Sequence, residues 1–265
     1  MDASDYKSAI RALGARKSLG QNFMVNRQIA AMESEYARDM SVVELGPGLG
    51  ILTLELCKTA RRVVAIEKDE RLFNMLGSEL KSKKLRLING DFFSMEKKEF
   101  DGIDIMVSNI PYSLSSKTIY WLGSMGIPAL ICIQREFAEH MLAAPGTRSY
   151  SKLSVISALR FRAHLVMEVG ANNFYPVPNV DSSLVYLAPK PGIMDEKTAS
   201  TISLIMGHKK KRLRNAIADS AKSLGISKEC ARLVSEKIGH ADERPFHMDP
   251  ETILGVAKDV NRALY

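Results

Sequence analysis

From residue 42 to about residue 143 the chain alternates between two hydrophobic rhythms. Short runs rich in β-branched residues predict strands: V-V-E-L at 42–45, R-V-V-A-I-E at 62–67, L-R-L-I-N-G-D at 85–91, I-D-I-M-V-S-N at 103–109 and A-L-I-C-I at 129–133. Between them lie longer segments that read as helices, the first carrying Leu52, Leu54 and Leu56. Alternation of this kind predicts βαβ units and a parallel sheet. Residues 1–20 read as an arm and a short helix, and a helix over Arg27–Arg38 leads into the first strand. After the fifth strand come a helix over Arg135–Ala143, a polar loop over Ala144–Ser151 and a helix over Lys152–Arg160. The strands Ala163–Val169 and Leu184–Leu187 have no helix between them, which predicts an antiparallel hairpin at the sheet edge. Ala188-Pro189-Lys190-Pro191-Gly192 is the clearest linker. Beyond it only helical patterns occur, at about 198–206, 209–224, 227–238 and 250–262. The expected organisation is a doubly wound α/β domain over residues 1–188 and a small all-helical domain over 193–265.

The chemistry gathers where the predicted strands end. The first strand runs into Gly46-Pro47-Gly48-Leu49-Gly50, a turn in which the backbone bends sharply and approaches a ligand closely. Glu67, Asp91 and Asn109 close the next three runs. Ligands of open parallel sheets lie outside the carboxyl ends of the strands, so these residues line one crevice. The spacing G-x-G-x-G departs from the G-x-G-x-x-G of dinucleotide sites, and Pro47 stiffens the turn. An acid about twenty residues downstream suits ribose hydroxyls in either class of cofactor. A carboxylate at Asp91 can accept from an adenine amino group, which favours S-adenosylmethionine over NAD. At the fourth strand end, Asn109-Ile110-Pro111-Tyr112 sets an amide, a proline and an aromatic ring beside the cofactor. Proline forces Ile110 into an extended conformation, so its carbonyl can point into the crevice beside the Asn109 side-chain oxygen. Two such acceptors suit an exocyclic amine, and Tyr112 offers a face for a purine.

The remaining composition narrows the partners. No apolar run approaches the ~18 residues of a membrane span, and the N-terminus M-D-A-S-D-Y-K-S does not read as a secretory signal. Cys57, Cys132 and Cys230 lie far apart without a C-x-x-C, as expected of reduced thiols in a cytoplasmic protein. The five histidines show no metal-ligand spacing, so no metal is expected. The formal charge is +7. Its excess concentrates in A-R-K-S, with Arg16 and Lys17, and in Lys209–Arg214, where five cations fall within six residues. A solvated helix face explains most short charge runs, whereas this density favours contact with a phosphate backbone.

With these stretches in place the chain resembles the ribosomal-RNA adenine N6-dimethyltransferases acting on the small subunit. The matching motifs are K-S-L-G-Q-N-F-M (17–24), E-L-G-P-G-L-G (44–50), N-G-D (89–91), N-I-P-Y (109–112), F-Y-P-V-P-N-V-D-S (174–182), K-K-R-L-R-N (210–215) and R-P-F-H-M-D-P-E (244–251). The resemblance implies a Rossmann-like S-adenosylmethionine-dependent methyltransferase domain followed by a helical RNA-binding domain. It implies that Asn22 and Met24 lie against the cofactor, that Gly46 and Gly48 shape its pocket, and that Glu67 and Asp91 hold its ribose and adenine. Asn109, which also borders the cofactor, and Pro111 form the acceptor corner, while Tyr112 and Phe174 sandwich a flipped base. Arg16, Lys17, Lys209, Lys210, Lys211, Arg212 and Arg214 are the expected RNA contacts. Met24 stands where leucine is common, and Phe246-His247-Met248 interrupts the familiar tail. The expected substrate is small-subunit RNA in an assembly intermediate, methylated at two adjacent adenines by a cytoplasmic monomer. Two alternatives share these motifs: an enzyme acting on large-subunit RNA, and a non-catalytic assembly or transcription factor on the same fold.

Overall fold

Strands buried on both faces are apolar along their whole length rather than at alternate positions. β2 (Ser41–Leu45) is buried at all five positions. β3 (Arg62–Glu67) is buried at every position after its first. Together with β4 (Leu85–Asn89), β5 (Ile105–Asn109) and β6 (Ala129–Gln134), they form the parallel part of a sheet in the computed structural model, which describes residues 8, 10, 11, 14, 21–192 and 194–263. The full order is β4-β3-β2-β5-β6-β9-β7, where β7 is Phe161–Val169 and β9 is Ser182–Pro189. β9 runs antiparallel to β6, with Ala129 opposite Leu187 and Gln134 opposite Ser182. The expected antiparallel edge is therefore present. Strand order reverses across β2 and β5, which places the carboxyl ends of these two strands at the switch point where open sheets bind ligands.

Helices α1 (Arg27–Glu35), α2 (Ile51–Thr59), α3 (Glu70–Glu79) and α4 (Ser115–Met125) accompany the parallel strands. α1 starts at Asn26, whose side-chain oxygen accepts from Gln28 N at 2.9 Å and Ile29 N at 3.3 Å. Capping of this kind satisfies amides that the first helical turn leaves without partners. Ile29 and Ala30 of α1 share a core with Leu52 and Leu56 of α2 and with Val42, Val63, Ile105 and Val107 of the sheet. A separate ribbon, β1 (Phe23–Met24) against β8 (Phe174–Tyr175), is antiparallel, with Met24 opposite Phe174.

The chain divides into two compact units, residues 1–138 with 164–189 and residues 139–163 with 190–265. The second unit contains α6 (Lys152–Arg160), α7 (Glu196–Gly207), α8 (Leu213–Asp219), α9 (Lys228–Lys237) and α10 (Pro250–Ala263); α5 (Arg135–Met141) spans the division. Residues 139–163 therefore fall outside the α/β unit in which the sequence pattern places them. Tyr150, Val155 and Ile156 are buried in one core with Ile202, Ile217, Val234, Ile253 and Val260. The Tyr150 hydroxyl donates to Met248 O at 2.8 Å. Apolar spacing shows that a helix has a buried face, but not which core covers that face. The helix expected over 209–224 is shorter, spanning Leu213–Asp219, and Lys209–Arg212 lie before it. Cations at a helix N-terminus oppose the macrodipole, so this run favours a turn over an added helical turn. Among the described residues no helix is long and apolar enough to cross a membrane.

Candidate active site

The turn between β2 and α2 is built on left-handed backbone. Gly46 has φ +66 and Gly48 φ +59, a region in which a side chain is strained. A Cβ on Gly48 would also lie 2.8 Å from Phe23 Cδ1. Gly48 N donates to Glu67 Oε2 at 3.1 Å and Asp69 N donates to Oε1 at 2.8 Å. Both carboxylate oxygens are thus fixed, and each retains lone-pair capacity for a ligand hydroxyl. Burial pushes the Glu67 carboxyl up, and the two backbone donors pull it back. Asp69 is held down at about 2 by its hydrogen bond from Arg71, and it also accepts from Gln21 Nε2 at 3.3 Å. Asp91, two residues beyond β4, accepts from Phe93 N at 3.0 Å and pairs with Lys68 Nζ at 2.9 Å. The lysine lowers the Asp91 carboxyl.

Asn109 ends β5, across β2 from Glu67 in the order of the sheet. Its Nδ2 donates to Glu33 Oε2 on α1 at 3.1 Å, and its Oδ1 is buried with no hydrogen-bond partner. Ile110 N donates to Cys132 O at 3.2 Å, which carries the β5–β6 pairing past the strand end. Pro111 follows with φ −54 and ψ 127 and turns the chain into a short 3-10 helix over Tyr112–Leu114. The Tyr112 hydroxyl shares a 2.8 Å hydrogen bond with Ser182 Oγ. Burial raises the Tyr112 pKa, and the serine opposes that rise. Asn22, Asn109, Ile110, Pro111, Tyr112, Cys132 and Phe174 line one small pocket.

The β1–β8 ribbon explains how residues so distant in sequence share that pocket. Val25 N donates to Asn173 O at 2.8 Å and Asn26 Nδ2 to Asn173 Oδ1 at 2.8 Å, which anchors Q-N-F-M to F-Y-P-V-P. The structure therefore brings Asn22, Asn109, Pro111, Tyr112 and Phe174 together, with Met24 buried next to Phe174 in the ribbon. Gly46 joins this corner, because a Cβ there would lie 3.8 Å from the Pro111 ring. Sequence reasoning does not find Glu33, Cys132, Ser182 or Phe23. For Glu33 a signal exists: an acid four residues after Ile29, on the face of α1 that is buried.

The basic residues are placed elsewhere. Arg16 and Lys17 lie outside the described residues. Lys209, Lys210, Lys211, Arg212 and Arg214 all belong to the helical unit. Lys209 is partly buried: its Nζ donates to Tyr150 O and lies 5.6 Å from the centre of the Phe246 ring. Burial lowers its pKa, with Lys210 adding to the effect. Lys209 thus has a packing role that a solvated charge run would not have. Lys211 pairs with Asp219 at 2.5 Å, and Arg212 and Arg214 both pair with Asp242 at 2.8 Å. Lys210 is exposed.

The family described as "Ribosomal RNA adenine dimethylase" matches residues 12–240. A probable ribosomal RNA small subunit methyltransferase A from Pyrococcus furiosus is 37% identical over 248 residues, covering 90% of this chain and 89% of that protein. A probable ribosomal RNA small subunit methyltransferase A from Methanopyrus kandleri is 35% identical over the full length of both. Among solved structures, a dimethyladenosine transferase from Plasmodium falciparum superposes with a TM-score of 0.75 at 25% identity, covering 90% of this chain and 97% of that one. The chain belongs to the ribosomal RNA adenine dimethylase family, whose members are S-adenosylmethionine-dependent methyltransferases.

Proposed function

We propose that this enzyme dimethylates N6 of adenines, two adjacent ones near the 3′ end of small-subunit ribosomal RNA, during assembly of the subunit. The observation that carries this reading is the buried Asn109 Oδ1 without a partner, in a pocket shared with Tyr112 and Phe174. An orphaned buried acceptor is rare and needs an explanation. An incoming exocyclic amine supplies the missing donor. The small-subunit relatives, matched over most or all of the chain, support the choice of RNA.

The crevice fits S-adenosylmethionine. Glu67, at the end of β3, has both oxygens already oriented by backbone amides, and the glycine turn contributes bare backbone, with Pro111 near Gly46 and Phe23 near Gly48. In this reading Gly46, Gly48, Asn22 and Met24 border the methionine part, Glu67 takes the ribose hydroxyls and Asp91 the adenine amine. Bound, the cofactor supplies an electrophilic methyl group. Tyr112 and Phe174 hold the target base between them, and Pro111 keeps the Asn109 amide and the Ile110 carbonyl in a rigid corner. Accepting the amine hydrogens keeps the nitrogen lone pair out of ring conjugation. As the amine gains positive charge, the same acceptors stabilise it, the converse of an oxyanion hole. Its proton leaves to water. Positioning supplies most of the acceleration. The protein acts as a monomer in the cytoplasm.

The test is transfer of labelled methyl groups to small ribosomal subunits that lack adenine dimethylation, with reverse transcription to locate the product. Stops at adjacent adenines near the 3′ end are expected. Labelling of large-subunit RNA instead, or binding without transfer, overturns the reading. The helical unit contributes cations to RNA. Replacing Lys210, Arg212 and Arg214 with glutamine weakens RNA binding and reduces the slope of log affinity against log salt by ~1 for each phosphate no longer neutralised. Lys209 is left intact because it holds Tyr150 O. An unchanged slope would show that the run is only a solvated surface.

A further inference from the structure

An amide side chain has two ends that differ in chemistry, and only its oxygen can accept from the target amine. Asn109 lies at a strand end with one χ2 rotation separating the correct orientation from the reverse. What selects between them is visible in the structure. Glu33, 1% exposed on α1, places Oε2 3.1 Å from Asn109 Nδ2. That bond occupies the nitrogen and leaves Oδ1 as the group directed at a partner. An ionised carboxylate can only accept, which enforces this orientation; a protonated carboxyl keeps it with the proton on Oε1, leaving Oε2 to accept from Nδ2.

We infer that Glu33 is a positioning residue for catalysis: by accepting from the Asn109 nitrogen, it turns the Asn109 oxygen toward the adenine amine. The inference rests on Asn109 being that acceptor. Its physical basis is that a buried acid is hard to justify otherwise. Glu33 occupies an apolar-face position of a helix whose neighbours Ile29 and Ala30 are core residues. Among the described residues no cation pairs with it, and its second oxygen, Oε1, is buried without a partner. Burying a carboxyl in such a place is unfavourable. A methionine at this position would fill similar volume with equal helix propensity and no desolvation penalty. An acid in so unfavourable a place is best explained by what it does to Asn109.

Two variants of nearly equal size separate orientation from packing. Glu33→Gln retains an oxygen that accepts from Nδ2, whereas Glu33→Met retains the volume and removes the acceptor. E33M is expected to lower kcat by ~10-fold, the equivalent of one hydrogen bond. Cofactor affinity and the KM for RNA stay within about twofold. E33Q restores kcat to within ~3-fold of the parent. In the Asn109→Ala background, E33M has no further effect on single-turnover transfer, because residues acting through one group are not additive. Wild-type kcat in E33M overturns the inference, as does an E33Q as slow as E33M. So does an E33M that slows N109A as much as it slows the parent, since Glu33 would then act through packing. If N109A itself retains full activity, the underlying reading of Asn109 fails instead, so the two failures are distinguishable.

Discussion

Asn109→Ala is expected to lower the rate of methyl transfer by ~10²-fold while cofactor affinity stays within about twofold. The size follows from the loss of one preorganised acceptor at the place where charge develops, worth ~10²–10³ in comparable sites. Several features of the structure make the effect specific. Oδ1 makes no hydrogen bond that the change would break, so the only hydrogen bond the side chain loses is that from Nδ2 to Glu33. The backbone that positions the corner stays in place, because Ile110 N bonds Cys132 O and Leu114 N bonds Pro111 O at 2.8 Å. The ring of Tyr112 remains tethered through Ser182. Single-turnover transfer to undermethylated subunits and a cofactor titration together measure the split. An unaltered rate would remove Asn109 from the chemistry. A large loss of cofactor affinity with the same transfer rate at saturation would make Asn109 a cofactor ligand only.

What the sequence discloses, and what it does not, follows from how local each determinant is. Glu67 and Asn109 are readable because a glycine-rich turn and the ends of parallel strands are marked in one dimension. The sheet then does the rest by bringing adjacent strand ends together. Phe174 is different. It reaches Asn109 through a two-residue ribbon with Met24, and no periodicity marks a pairing so short and so distant in sequence. Only the resemblance points to it. The pattern misplaces residues 139–163 because a helix shows its apolar face but not the core that receives it. Lys209 reads as one cation of five, yet it is partly buried, with its ammonium group 5.6 Å from the centre of the Phe246 ring and bonded to Tyr150 O. Long basic side chains bury their stems readily, and a charge count cannot see this. Glu33 is open to notice. An acid four residues after Ile29 breaks the amphipathic pattern of α1, and breaks of this kind occur where function overrides stability.

The same buried acids make the protein less stable as pH rises. Glu44 on β2 is 2% exposed, and its Oε2 accepts from Thr53 Oγ1 at 2.7 Å. Burial pushes its carboxyl up to about 8, the Thr53 bond opposes this, and the charges of Glu33 and Glu67 add to the rise. Burial likewise raises Glu33 to about 8, against the pull of the Asn109 hydrogen bond. In the unfolded chain both acids lose their protons near pH 4.5. Below that pH both states are protonated and the acids do not affect the balance. Between pH 4.5 and about 8 the unfolded state has released protons that the folded state retains, so unfolding becomes progressively easier. Above about pH 8 the penalty is complete. Glu44→Gln removes one such acid while its amide oxygen still accepts from Thr53. E44Q and the parent should therefore match in stability at pH 4, below the point where the unfolded acid ionises. At pH 9 E44Q should be more stable by on the order of 2–4 kcal/mol, since each unit of pKa difference is worth ~1.4 kcal/mol. Urea unfolding at both pH values measures this directly. Two curves that fall in parallel would show that Glu44 ionises as readily in the folded protein as in the unfolded chain.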